Sequence, residues 1–299
     1  MHRPNWEKIV IFNTSLQIVS GSFKTLHFFV KIPPSDLRQK VKFLASSHRC
    51  SIKSERWSSL CKFETHYEDM KQKGPNDFNV VIDVSVPRPH PYRLSRNVVV
   101  SDLDNLWNEM PYVKDYLKAR DFVEVNSDQI QTQSEELVTG SMDFWEAIES
   151  IVEWISSHVV YDYNLQGQAY KGALATIRSR RAICSDFVHL LLAMTRTVNI
   201  PSRAIIGFHN QENAESWTIH SWAEVYDPKF GWTPIDATVQ PTNIAKLGDR
   251  YIRLTAGYNC AERSYAYYTT PAEETDVDIS VKQYVRIGED MLEVSMFPE

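Results

Sequence analysis

Hydrophobic positions recur along this chain with two different periods, and the change of period organises it. In the first hundred residues, β-branched and aromatic side chains fall in short runs. These are Ile9-Val10-Ile11-Phe12, Leu26-His27-Phe28-Phe29-Val30-Lys31-Ile32 and Asn79-Val80-Val81-Ile82-Asp83-Val84-Ser85-Val86. Such runs predict strands. Turn chemistry separates them at Ser20-Gly21-Ser22, Pro33-Pro34-Ser35-Asp36 and Gly74-Pro75-Asn76-Asp77, where Gly, Pro, Asn and Asp satisfy the backbone demands of a reversal. Pro87-Arg88-Pro89-His90-Pro91 then interrupts regular structure. A small β-sandwich is the expectation for this half.

From Val98 to about Gly140 the pattern is mixed, with Pro111 inside it and short helices expected. A longer helix is predicted from Asp143. Asp143 and Glu146 have capping-box spacing, and Phe144, Ile148, Ile151, Val152, Ile155 and Val159 recur at helical intervals. Asp162 and Asn164 are read as its end. A second helix starts at Cys184 and runs to about Val198, where Asn199-Ile200-Pro201 breaks it. It is apolar nearly all round, so it is expected at the centre of its domain.

Strands follow over residues 203–208, 220–226 and 231–236. The last two flank Asp227-Pro228-Lys229-Phe230-Gly231, a strong turn signal, so an antiparallel hairpin is expected. Beyond Asp249, extra strands are expected at Tyr265 to Tyr268, Val281 to Ile287 and Met291 to Phe297. The acidic stretch Glu273-Glu274-Thr275-Asp276 reads as a connection. The pattern divides the chain into a β-rich accessory domain, residues 1–125, and a catalytic domain, residues 126–299.

Composition narrows the function classes. The 299 residues are 43% hydrophobic and 23% charged, enough to bury a core in both halves, and the net charge is −6. An acidic balance argues against nucleic acid as a main partner, because phosphate contacts need a basic face. The cluster Arg178, Arg180 and Arg181 reads as solvated. Cysteines stand at 50, 61, 184 and 260, and their spacing fits neither a zinc site nor a redox pair. Neither metal nor organic cofactor is expected. Cys50 and Cys61 have the spacing for one bridge across a hairpin in an exported protein. Only a four-residue apolar stretch, Ile9 to Phe12, follows the N-terminal segment, short of a secretion signal. No window approaches the roughly 18 apolar residues of a membrane span. The expected setting is the cytoplasm, with reduced thiols and no membrane partner.

The chemistry concentrates on three residues. Cys184 opens a helix, where the positive end of the macrodipole favours thiolate. A hairpin turn centred on residue 228 or 229 sets His220 opposite Asp236, or two places away. Both are even-numbered, so both side chains leave the same face. A carboxylate there can fix the imidazole tautomer. Cys184, His220 and Asp236 then read as nucleophile, base and orienting group. The backbone N–H of Cys184 is one oxyanion donor, and Tyr161 and Gln166 are candidates for a second. Trp222 is read as packing and site wall, Asp186 as a helix cap and His189 as a buried partner. His209 is read as exposed.

These residues fall in blocks that resemble the transglutaminase-like superfamily. The blocks are Arg181 to Arg203, His220-Ser221-Trp222-Ala223-Glu224-Val225 and Gly231-Trp232-Thr233-Pro234-Ile235-Asp236-Ala237-Thr238. They are similar to that family's G-x-C helix start with G-I-P-A-R, its H-A-W-x-E strand and its G-W-x-P-x-D-P-T strand. Cys184, His220 and Asp236 fall on the catalytic positions. Tyr161-Asp162 resembles the aromatic-Tyr-Asp segment upstream. The N-terminal half resembles the accessory domain of bacterial members, and Leu254 to Asn259 resembles their G-R-D-Y block. Ala182, Asn199, Ser202 and Asn259 depart from the usual residues.

The resemblance implies an α+β fold, an N-terminal β-sandwich followed by a papain-like core with its nucleophile helix packed on an antiparallel sheet. It implies a cysteine acyl-transfer enzyme, hydrolysing a peptide or amide bond through a thioester on Cys184. Its substrate would be a peptide, a protein, or an amide or thioester. One alternative is a transglutaminase or amide synthase that passes the acyl group to an amine. Another is a non-catalytic binding or scaffold protein on the same fold.

Overall fold

The computed structural model describes residues 7–36, 38–73, 76–86, 92–210, 216–238, 243–261, 266–269 and 278–294. The expected break at Pro87 to Pro91, the Gly74-Pro75 turn, the acidic stretch 273–276, Tyr265 and residues 295–297 lie outside them.

The N-terminal strands are β1 (Glu7–Ser20), β2 (Thr25–Ile32), β3 (Lys40–Ser46), β4 (Cys50–Ser54), β5 (Ser59–His66) and β6 (Asn76–Ser85). A short helix, α1 (Tyr67–Lys73), precedes β6. Strict alternation drives the folding of this unit. Val10, Phe12, Thr14 and Leu16 of β1 are buried, as are Leu26, Phe28, Val30 and Ile32 of β2 and Phe78, Val80, Ile82 and Val84 of β6. Each strand therefore offers one apolar face, and two sheets close on each other to remove it from water. Phe28 and Phe78 meet across the gap, ring centroids 5.6 Å apart.

The remaining elements begin with α2 (Leu103–Glu109), α3 (Asp128–Leu137), α4 (Phe144–His158), β7 (Val160–Tyr161), α5 (Ala173–Ser179), β8 (Arg181–Ala182) and α6 (Cys184–Thr197). They continue with β9 (Ser202–Asn210), β10 (Trp217–Asp227), β11 (Gly231–Asp236), β12 (Asn243–Ile244), β13 (Tyr251–Gly257), β14 (Ala266–Thr269), β15 (Asp278–Ile287) and β16 (Asp290–Val294). The central sheet runs β12-β11-β10-β9-β13. The sandwich sheets run β16-β15-β1-β6-β3 and β14-β2-β5-β4. The fold is α+β.

Helix α4 carries the expected capping box. Asp143 accepts from Trp145 N, and Glu146 accepts from Asp143 N. The helix ends at His158 rather than near Asp162. Val159 N closes its last turn on Ile155, and the chain then enters β7, which pairs in parallel with β8. Helix α6 is central, with Leu190, Leu191 and Leu192 at most 1% exposed. Each such leucine contributes roughly 1.5–3 kcal/mol through its burial. Asn199, beyond its C-terminus, adopts a left-handed φ of 64°. Asparagine tolerates this conformation better than most non-glycine residues.

Two features cut across a division at residue 125. Trp107 of α2 and Val113 lie in the same core as α3, α4 and α6. Strands β14, β15 and β16, far along the chain, complete the N-terminal sheets; β15 pairs with β1 over most of its length. The packing unit of the sandwich is therefore discontinuous in sequence. It also extends to the central sheet, because Ile206, Phe208, Ile252 and Leu254 join its core. Among the described residues no helix is long and apolar enough to cross a membrane.

Candidate active site

Local geometry assembles the site where the head of α6 meets the central sheet. Asp186, in the first turn of α6, accepts from the Ile183 backbone N–H at 3.2 Å and from Lys171 N at 3.0 Å. The carboxylate caps the helix and fixes the turn on which Cys184 sits. In the β10–β11 hairpin, Ala223 pairs with Ile235 and Asp227 with Gly231. Continuing that register sets Asp236 opposite Trp222, so His220 lies two places along on the same face. Asp227 holds the turn together: it accepts from Lys229 N and Phe230 N through one oxygen, and from Ser95 N and Trp145 Nε1 through the other.

His220 Nε2 lies 2.8 Å from Asp236 Oδ2. The same carboxylate oxygen accepts from the Tyr251 hydroxyl at 2.9 Å, and Oδ1 accepts from Thr238 N and Thr238 Oγ1 at 3.0 and 2.6 Å. The imidazole, the phenol and both Thr238 donors thus hold a fully buried carboxylate. Burial opposes its charge, but His220 and then Thr238 override it and hold Asp236 well below the usual carboxylate range. Burial likewise disfavours the imidazolium of His220. Asp236, and to a smaller extent a hydrogen bond with Cys184, reverse the balance and raise it above the ordinary histidine value. The structure therefore brings Cys184, His220 and Asp236 together.

Both oxyanion candidates also reach the head of α6. Parallel pairing of Tyr161 with Ala182 carries the tyrosine there. Cys184 and Gln166 are the neighbours that act on its phenol. Burial dominates and pushes the Tyr161 phenol up. Ala182 is fully buried in this pairing and has no left-handed φ, so the position does not need glycine.

Trp222 is 3% exposed, stacked toward His220 at 6.3 Å and edge-on to Tyr251 at 5.3 Å. His189 is buried, between the Lys171 carbonyl at 2.9 Å and Cys260 N at 3.0 Å. His209 departs from the sequence reading. Strand β9 extends through Asn210, and His209 is 4% exposed, enclosed between Tyr251 and His220 with ring centroids 4.1 and 5.0 Å away. Burial, then the neighbouring His220, lowers its pKa to about 4. The Arg178, Arg180 and Arg181 cluster is not simply solvated: Arg181 pairs with Asp162 at 2.8 Å and Arg180 lies over Trp154.

Tyr251, His209 and Thr238 are the site residues that pattern reading missed. Only Thr238 carried a signal, lying two places beyond Asp236. Cys50, Cys61, Cys184 and Cys260 are thiols rather than disulfides. Among the described residues, no three His, Cys, Asp or Glu side chains are grouped to hold a metal ion.

Comparison with known proteins finds similarity over part of the chain and in the fold. Residues 131–237 match the transglutaminase core of the transglutaminase-like superfamily. A proposed cysteine protease from Cytophaga hutchinsonii superposes with a TM-score of 0.57 at 18% identity, over 98% of this chain and 93% of that one. The periplasmic domain of TgpA from Pseudomonas aeruginosa matches at 11% identity and a TM-score of 0.37, over 76% of this chain and 90% of that one. The uncharacterized protein ML0607 of Mycobacterium leprae (strain TN) is 26% identical over 117 residues, 37% of this chain. That match covers 39% of the relative's own length.

Proposed function

We propose that this chain, whose residues 131–237 match the transglutaminase core of the transglutaminase-like superfamily, is a cysteine-dependent acyl-transfer enzyme. In this reading it hydrolyses a peptide or amide bond through a thioester on Cys184. The observation that carries the reading is His220, hydrogen-bonded to Asp236 at 2.8 Å, with Cys184 at the head of α6 near enough to help raise its pKa.

The roles follow from the chemistry. The Cys184 sulfur attacks the acyl carbon, and the proton it gives up resides on His220. The carbonyl electrons move onto oxygen, where the Cys184 N–H, with Tyr161 or Gln166, can donate to the oxyanion. Collapse of the intermediate breaks the C–N bond, and His220 delivers its proton to the departing amine. Water then attacks the thioester, giving its proton to His220, and the acid leaves as the thiol is restored. Asp236 stays ionised throughout and balances the imidazolium. Low exposure of His220 and Asp236 strengthens each of these interactions.

The test is to trap the thioester. The protein is mixed with a peptide library, quenched in acid and digested, and the Cys184 peptide is weighed. An acyl adduct on Cys184, absent from Cys184→Ala and followed by carboxylic acid products, is the expected result. No adduct together with no cleavage overturns the reading. Amine-linked products without cleavage would replace hydrolysis by transfer to an amine. A companion measurement is iodoacetamide labelling at mildly acidic pH, where an imidazole-activated thiol reacts far faster than ordinary thiols. Selective labelling of Cys184, lost in His220→Ala, supports catalysis; equal labelling in both proteins favours a non-catalytic scaffold.

A further inference from the structure

A cavity of about 730 Å³ adjoins the His220–Asp236 pair. Trp222 and Tyr251 belong to both: they line the cavity and also contact His220, and Tyr251 bonds Asp236. Trp222, Glu224 and Tyr226 leave the same face of β10 as His220 and form its floor. The N-terminal unit supplies the opposite wall through Asp36, Arg38, Arg56 and Trp57.

The charge of this cavity differs in sign from that of the chain. Among the described residues, Arg38, Arg56, Arg203 and Arg253 line it, against Asp36 and Glu224. Both carboxylates are already committed. Glu224 accepts from Arg38 through Oε1 and from Arg203 Nε and Nη2 through Oε2, the latter at 2.8 and 2.6 Å. Asp36 accepts from the Arg38 and Gln39 backbone N–H groups through Oδ1, and pairs with Arg253 through Oδ2. A guanidinium carries about five N–H donors, so donors exceed acceptors. Arg253 shows the surplus directly: its side chain is 13% exposed, and its buried Nε has no hydrogen-bond partner among the described residues. Arg56 is held by Tyr258 and by the face of Trp57, with its charge left at the rim.

The rest of the wall is aromatic. Trp232 lies under Arg203 at 4.1 Å, and Trp57, Tyr92, Trp222 and Tyr251 complete the enclosure. Surplus donors above flat apolar walls match a ligand that joins a carboxylate to an aromatic or bulky apolar body.

We propose that this cavity binds a carboxylate-bearing aromatic portion of the substrate, remote from the bond that reacts. The proposal rests on the acyl-transfer reading for its meaning as a substrate site, but the binding itself does not depend on turnover. Binding energy gathered there would hold the acyl group against Cys184, as remote contacts do in other enzymes. The N-terminal sandwich is then a working part of the site, since Asp36, Arg38 and Arg56 come from it.

The experiment is isothermal titration calorimetry of full-length Cys184→Ala with N-acetylphenylalanine and with its neutral amide. Loss of the charge-assisted hydrogen bonds should make the amide bind at least about fivefold more weakly. Arg253→Gln and Arg56→Gln, each in the Cys184→Ala protein, should weaken the acid by a similar factor. A smaller preference for the acid, no binding of the acid, or full affinity retained in both arginine variants overturns the proposal. The acid–amide comparison uses one protein, so it stands even if Arg253→Gln fails to fold. Because no turnover is read, a negative result here leaves the thioester experiment untouched, and a failed thioester trap leaves this one readable.

Discussion

His209 lies flat on Tyr251, with ring centroids 4.1 Å apart and 21° between the planes. Its buried Nδ1 has no hydrogen-bond partner among the described residues. Burial is the largest influence on it; His220 and Arg250 also oppose its protonation, and Asp236 favours it. Its folded pKa of about 4 lies below the roughly 6.5 of an unfolded histidine. The unfolded chain therefore binds the extra proton, and stability falls as pH drops from about 6.5 toward 4. His220 has the opposite sign. Its folded value is raised, so its contribution is complete below about 6.5 and is lost as pH climbs from there through the raised value. The two effects thus occupy different pH windows. His209→Phe, which keeps the ring stack, should gain about 1–2 kcal/mol near pH ~5 relative to its effect near pH ~8. Denaturant unfolding at the two pH values reads the difference; equal effects would mean that His209 titrates normally.

Tyr251 donates to the oxygen of Asp236 that also meets His220. Tyr251→Phe removes one donor from a buried carboxylate and should cost about 1–3 kcal/mol of stability. It should also slow alkylation of Cys184 near neutral pH by roughly tenfold, since a less firmly held Asp236 orients the imidazole less well. Asp236 contributes stability above the ordinary carboxylate pKa and loses it as pH falls through its depressed folded value. With a donor gone the folded value moves back toward the ordinary one, so this loss should be smaller and should be complete at a higher pH. An unchanged acid limb in thermal unfolding would remove Tyr251 from this role.

How much of this was legible follows the range of each interaction. Cys184 at a helix start, and His220 and Asp236 on one face of a hairpin, depend on spacings within single elements or adjacent ones, so periodicity exposes them. The capping box of Asp143 and Glu146 is legible for the same reason. Tyr251 and His209 meet through the pairing of β13 with β9, which no local pattern announces. His209 also stands beside the polar Asn210, so the sequence there reads as a loop although the strand continues. The return of β15 to β1 spans most of the chain, and the contact of Arg38 with Glu224 joins two units. Such pairings come from the shapes of assembled surfaces rather than from sequence period.

Gly207 is paired with His220 across β9 and β10. A Cβ there would stand 2.1 Å from the Ile252 carbonyl oxygen and 2.8 Å from Trp222 Cη2. The first is backbone of β13, so it cannot swing aside as a side chain would. Gly207→Ala should therefore push β13 away, carrying Tyr251 from Asp236, and cost about 1–3 kcal/mol or more through overpacking. The expected signature is a loss of stability together with slower Cys184 alkylation. A stable protein with normal Cys184 reactivity would show that the two strands separate without disturbing the site.

Glu224 is 1% exposed and lies among Arg203, Arg38 and Arg253. Burial raises the pKa of this carboxylate, but the three guanidiniums outweigh it and hold the group below the usual range. Glu224→Gln keeps the shape and removes the charge, leaving the guanidiniums of Arg38 and Arg203 facing each other. Breaking one side of a buried ion pair costs about 3–5 kcal/mol, so a large loss of thermal stability is expected. Addition of Arg203→Leu should recover part of it, because the uncompensated cation and its desolvation cost go together. A double variant no more stable than Glu224→Gln would show instead that Arg203 packing on Trp232, rather than the ion pair, holds this wall of the cavity.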